Sequence, residues 1–187
     1  MSEPVEGEVA PDGDDSTVRY LILIALVGAA VSVGLGVAAR VHPADGVPLF
    51  TLGFPTLKAR KSWLATVTVV FACIQLLTAL WMYGKIGGPG GGGRRAALIH
   101  RTSGVIAVLI SLPVAFQCLW VLGFGGYNTR ALVHSLAGCL FYGAFVTKML
   151  ALRNDRLPGW TLPVLGGLVL TSLVTAWLTS ALWWFSR

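Results

Sequence analysis

Apolar residues fill this chain in five long runs, Leu21–Ala39, Trp63–Gly84, Thr102–Leu122, Ala131–Leu152 and Leu162–Phe185. Each approaches or exceeds the roughly 20 residues that a helix needs to cross a bilayer's hydrocarbon core. The first run holds one polar residue, Ser32, and the only ionisable side chains in the other four, thiols and phenols aside, are His134 and Lys148. A helix in a soluble core would carry a polar stripe at a period of 3.6 residues, and none of the runs does. The pattern predicts an all-α integral membrane bundle of five transmembrane helices, with spans at about 21–39, 63–84, 98–122, 131–152 and 161–185.

The stretches between the runs order them. Residues 123–130 and 153–160 are short, so the third, fourth and fifth spans are expected to be antiparallel neighbours. Gly87–Gly93 reads as a flexible linker, with no Lys-Ser/Thr to make it a phosphate loop. Lys58, Arg60 and Lys61 precede the second run, where basic side chains snorkel to headgroups from an interfacial segment. Gly28, Ser32 and Gly36 repeat every four residues in the first run, as do Ser135, Cys139 and Gly143 in the fourth. Such rows let two helices approach closely, which matters because lipid supplies no hydrophobic drive between them. Spans two to five are expected to form the core, with the first packed outside.

Composition agrees. Charged residues make up 12% of the chain, half the roughly 25% of soluble domains, and the spans leave no room for a separate soluble domain. Six of the seven tryptophans lie near span ends, as in aromatic belts, and only Trp177 sits deeper. The net charge of +6 is divided: residues 1–18 hold six acidic and no Lys or Arg residues, so the remainder is strongly basic. The acidic segment is expected to be a disordered tail and is unsuited to a signal-peptide n-region, so the first run reads as a retained span. The basic remainder points to membrane lipids as partners and away from nucleic acid. Basic residues on the N-terminal side (side A) outnumber those on the other (side B) by eight to six, counted from the sequence, which favours a cytoplasmic N-terminus.

Few groups at membrane depth could carry chemistry. No Asp or Glu lies within any span, which counts against a carboxylate proton relay, and there is neither a Ser-His-acid arrangement nor HExxH. Three cysteines in three spans, without CxxC spacing, read as packing residues. The polar set is Gln75, His100, Gln117, His134 and Lys148. His100 and Gly104 stand one turn apart on one helix face, where a glycine would let a flat macrocycle lie beside an imidazole that ligates its iron. His100 falls on side A and His134 on side B, so the two cannot clamp one metal. Gln117 lies about 25 Å along its helix from His100, at the level of His134, and could hydrogen-bond to it. His42 on side B, and Met82 and Met149 on side A, are the other potential iron ligands. Pro113 should perturb the third span.

The strings HRTSGVIAVLISLPVAFQCLWVLGF and RALVHSLAGCLFYGAFVTKML, with their flanking spans, resemble a family of small bacterial membrane proteins of unknown function over about residues 47–185. The HR-x-x-G segment, followed by a histidine opening the next span, is also similar to diheme transmembrane b-type cytochromes. That resemblance implies haem b as cofactor, with His100 and His134 as iron ligands and Gly104 and Gln117 at the cofactor. It also implies a redox partner protein or membrane complex, and a bacterial plasma-membrane location. Position 117, where the likeness expects a second ligand, holds Gln, a poor ligand for haem iron. The sequence therefore supports two readings: a haem-binding electron-transfer protein, or a non-catalytic membrane subunit that has lost its cofactor.

Overall fold

A computed structural model describes residues 13–44, 46, 53–88 and 92–187. All regular structure among them is helical: α1 (Gly13–Val41), α2 (Leu57–Met82), α3 (Gly93–Phe116), α4 (Thr129–Ala151) and α5 (Thr161–Trp177). α3 continues into a π-turn, Gln117–Val121, and α5 into a second, Leu178–Leu182, closed by a last turn at Trp183–Phe185. Five helices are long and apolar enough to cross a membrane.

The helices outrun the apolar runs at their polar ends. α2 begins six residues before Trp63 because Thr56 caps it, its Oγ1 accepting from Ala59 N at 3.1 Å. The basic Lys58–Lys61 turn is thus helical. Hydropathy marks where lipid begins, whereas hydrogen-bond capping marks where a helix begins. α4 starts in the same way, with Asn128 Oδ1 accepting from Ala131 N at 2.8 Å. α2 stops where Gly84 takes φ +66°, a left-handed conformation that other residues rarely adopt. α1 begins at Gly13, so residues 13–18, expected in the acidic tail, form its first turns; the rest of that tail lies outside the described residues. Of residues 40–62, where an interfacial segment is expected, 45 and 47–52 lie outside them too, as does the middle of the glycine linker.

Burial is inverted relative to a soluble protein. The buried side chains are mostly small or polar, among them Ala39, Ala96, Ser103, Ser111, Gln117 and Thr147, while Leu23, Leu26, Val70, Leu98, Leu109 and Val164 face outward. An apolar exterior around a core of small and hydroxyl residues is what a lipid solvent selects.

α4 lies between α1 and α5, α5 also meets α2, and α2 packs along α3. α1 touches the π-turn that ends α3, which closes the ring on side B. The seam between α1 and α4 is made by the two small-residue rows. A Cβ added at Gly28 would stand 2.6 Å from Gly143 O, and one added at Gly143 would collide with Ser32. Tyr20 Oη donates to Leu150 O (2.9 Å) and Thr147 Oγ1 to Ile24 O (3.3 Å) along the same seam. The first span is therefore joined to the fourth. The third and fourth spans are not close-packed neighbours as the short loop suggested. Side chains bridge them instead, with Tyr142 Oη donating to Ser111 Oγ at 2.9 Å, and the gap between them opens on side B.

Candidate functional site

That gap is a chamber of about 910 Å³ walled by all five helices. Its size falls in the range of roughly 300–1,000 Å³ typical of small-molecule and cofactor sites. Both π-turns border it, through Cys118 and Leu119 on one side and Ser180 on the other. A π-turn shifts the backbone out of the i−4 ladder and re-aims its groups, which is why such turns recur at functional sites. Here the second π-turn leaves nearby carbonyls facing α4. Ala176 O accepts from His134 Nδ1 at 2.9 Å, and Thr179 O accepts from Arg130 Nη1.

The hydrogen bond to Ala176 places the imidazole proton on Nδ1 and leaves a lone pair on Nε2. The nearest polar atom to Nε2 is Cys118 Sγ at 3.8 Å, a thiol that can donate to it. His134 and Cys118 both line the chamber, and the charges of Lys61 and Arg130 act on the imidazole. Arg130 also lies flat on Trp183, its Cζ 3.7 Å from the ring centroid, and Arg187 Cζ lies 4.0 Å from the same ring. Trp177, the deep tryptophan, donates from Nε1 to Thr66 Oγ1 at 2.9 Å and ties α5 to α2 at the chamber wall.

Side A is built differently. His100 Nδ1 meets Thr78 Oγ1 at 2.9 Å. The Thr78 hydroxyl directs its own proton to Ile74 O (2.7 Å), so it accepts from the imidazole. Gln75 donates to His100 O and to Ser103 Oγ (2.7 Å for the latter), which ties α2 to α3. The same amide fills the face beside Gly104, where an added Cβ would lie 3.2 Å from Gln75 Nε2 and Oε1. The glycine admits a glutamine from α2, and the space expected there for a macrocycle is occupied. Met82 and Met149 are exposed, and Lys148 Nζ lies near Gly166 on α5.

The structure thus keeps His100 and His134 at opposite ends of the bundle. Gln117 is at the level of His134 but does not bond to it. It is 1% exposed, and its Oε1 accepts from Arg60 Nη2 at 2.8 Å while its Nε2 donates to Leu57 O at 3.0 Å. Arg60, expected to snorkel, is buried with it. His42 packs on Trp120, with ring centroids 5.7 Å apart, and is not part of the chamber lining. Among the described residues no three His, Cys, Asp or Glu side chains gather at a metal-binding distance. Sequence reading missed the Cys118–His134 contact and the buried Arg60–Gln117 pair. The one signal for them was that Arg60, Gln117 and His134 all fall near side B.

Residues 21–187 match the family of unknown function DUF6529, and the chain belongs to that family. No curated protein and no solved structure matches it.

Proposed function

We propose that this protein is a non-catalytic, ligand-binding subunit of a bacterial plasma membrane and that its working part is the side B chamber. The observation that carries this reading is the chamber itself, about 910 Å³ enclosed by five helices and faced by an imidazole, a thiol and basic side chains. With a cytoplasmic N-terminus the chamber opens away from the cytoplasm. Filling it supplies the test. Gly138 lines the chamber, and a Cβ there meets nothing within 4 Å, so Gly138→Trp should occupy the space without moving backbone. Native mass spectrometry of protein extracted in mild detergent should show a retained small molecule on the wild type and none on the variant. The same adducts on both would overturn the reading.

A second reading has its own support: one b-type haem held through His134. An imidazole whose Nδ1 is fixed to a carbonyl presents Nε2 as a metal ligand, and the chamber is large enough for the ring. The fit is limited to a single haem. Cys118 Sγ, 3.8 Å from Nε2, stands on the approach to the iron and would have to turn aside. Gln117 is taken by Arg60 and Leu57 O, and the face beside His100 is filled by Gln75, so a diheme arrangement does not fit. A bound haem would supply one-electron transfer. His134 would hold it, and Lys61 and Arg130 would neutralise its propionates. A reduced-minus-oxidised spectrum of purified protein should then show a Soret signal that His134→Ala removes and His100→Ala leaves. A retained ligand without that signal removes haem and keeps the chamber.

A further inference from the structure

The chamber's lining is one-sided in charge. Lys58, Lys61, Arg130 and Arg187 contribute to it, and the described lining holds no Asp or Glu. The imbalance extends to the whole of side B. Beyond residue 18 the sequence contains only two acidic residues, Asp45 and Asp155, and only Asp45 falls in a side B segment. Four cations of the chamber wall therefore face at most one Asp or Glu side chain. The backbone adds to this field. α4 opens at the chamber, with Thr129, Arg130 and Ala131 in its wall, so its first N–H groups and positive dipole end lie at the same place.

One further group at this end lacks a partner. Ser62 is 1% exposed and lines the chamber, yet its hydroxyl has no hydrogen bond among the described residues. A buried hydroxyl left unsatisfied costs roughly 1–3 kcal/mol. Ser62 follows Lys61 directly, so the orphan hydroxyl, Lys58 and Lys61 share the first turns of α2, with Arg130 on α4. Deeper, the wall becomes apolar and aromatic, with Val114, Leu173 and Trp177.

From this we infer that the chamber binds an amphipathic anion. A phosphate or carboxylate head lies among Lys58, Lys61, Ser62 and Arg130, and an apolar body runs along Val114, Leu173 and Trp177. The head compensates the cations and accepts from the Ser62 hydroxyl. The body replaces lipid tails in the gap between α3 and α4. This deepens the proposed binding role and rests on it.

Cys118 reports on occupancy because its thiol lines the chamber. In the full chain carrying Cys73→Ala and Cys139→Ala, reconstituted in phosphatidylcholine nanodiscs, N-ethylmaleimide then reads only that thiol. Dioleoylphosphatidate should slow its alkylation at least about five-fold. Dioleoylglycerol, the same body without the anion, and inorganic phosphate, the anion without the body, should not. Lys61→Gln with Arg130→Gln should abolish the protection, and Lys61→Gln alone should weaken it if the double variant does not fold. Equal protection by dioleoylglycerol would overturn the anionic class and leave the chamber reading standing. Equal protection by inorganic phosphate would overturn the amphiphile. Protection by none of the three would overturn the chamber reading itself. Quenching of the chamber tryptophans by dibrominated phosphatidate, set against dibrominated diacylglycerol, gives the same discrimination if the thiol reacts too slowly to follow.

Discussion

Replacing Gly28 by Ala tests how the first helix is held. The added Cβ would lie 2.6 Å from Gly143 O, about 0.8 Å inside the 3.4 Å at which ordinary contact begins. The Thr147 hydroxyl stands closer still and can turn aside, but Gly143 O is backbone and cannot, so α1 and α4 must separate along the seam. Overpacking of this kind costs about 1–3 kcal/mol. Against it stands the gain in helix propensity from Gly to Ala, at most about 1 kcal/mol. Gly34, on the same helix, meets nothing within 4 Å of an added Cβ. Gly34→Ala carries the propensity gain without the clash and isolates the steric part. Detergent-solubilised protein followed by thermal or denaturant unfolding should show Gly28→Ala less stable than Gly34→Ala by about 1–3 kcal/mol. Gly143→Ala should be as damaging as Gly28→Ala, because its Cβ would collide with Ser32 and Gly28 O across the same seam. The double variant should cost less than the sum, since helices already separated by one substitution meet the other at a greater distance. Equal stability of Gly28→Ala and Gly34→Ala would refute the close approach of α1 and α4.

Two further contacts make separate predictions. Gln117→Leu removes the acceptor for Arg60 Nη2 and the donor to Leu57 O, and should cost about 1.5–3 kcal/mol in the same unfolding assay. Gln117→Glu, which keeps an acceptor and adds the complementary charge, should recover most of that loss; a leucine variant as stable as wild type would show that the pair contributes nothing. Trp177→Phe and Thr66→Val each delete the Nε1–Oγ1 bond between α5 and α2. The cycle should give a coupling of about 0.6 kcal/mol, the usual size for such bonds in membranes, and strictly additive effects would remove this tie.

Five helices and their order along the chain were legible because lipid imposes length and apolarity on every span. The small-residue rows at 28/32/36 and 135/139/143 announced a close seam, and they pack on each other as Gly28 against Gly143. Gln75 was legible only as a polar group at membrane depth, and the partner it meets on α3 was not. Adjacency of α3 and α4 was misread from loop length. Residues 122–128, with Gly123 at φ +70°, are long enough to join two helices that stand apart, so a short connection bounds separation without fixing contact. The π-turns had no sequence signature beyond Pro113, one turn ahead of the first. Arg60 was read as a headgroup contact because an arginine ahead of a span usually snorkels. What buries it is Gln117, a residue 57 positions away, and no local pattern encodes that meeting.

The two ends of the bundle place the same kinds of residue differently, and the proposed binding role rests on that difference. On side A, His100, Thr78, Gln75 and Ser103 satisfy one another, and Gln75 leaves no volume beside Gly104. On side B, Arg60 donates to Gln117, and His134, Lys58, Lys61 and Ser62, whose hydroxyl has no partner among the described residues, line the chamber. Open polar groups at membrane depth are costly; side A too leaves one, the buried Thr161 hydroxyl, without a partner among the described residues, but Thr161 does not line the chamber. Substitutions in the side A cluster should therefore act through stability and leave chamber occupancy unchanged. Substitutions at Lys61, Ser62 or His134 should act on occupancy first. A histidine at each end looks symmetrical in the sequence, but only the one whose helix faces a gap has room to meet anything other than protein.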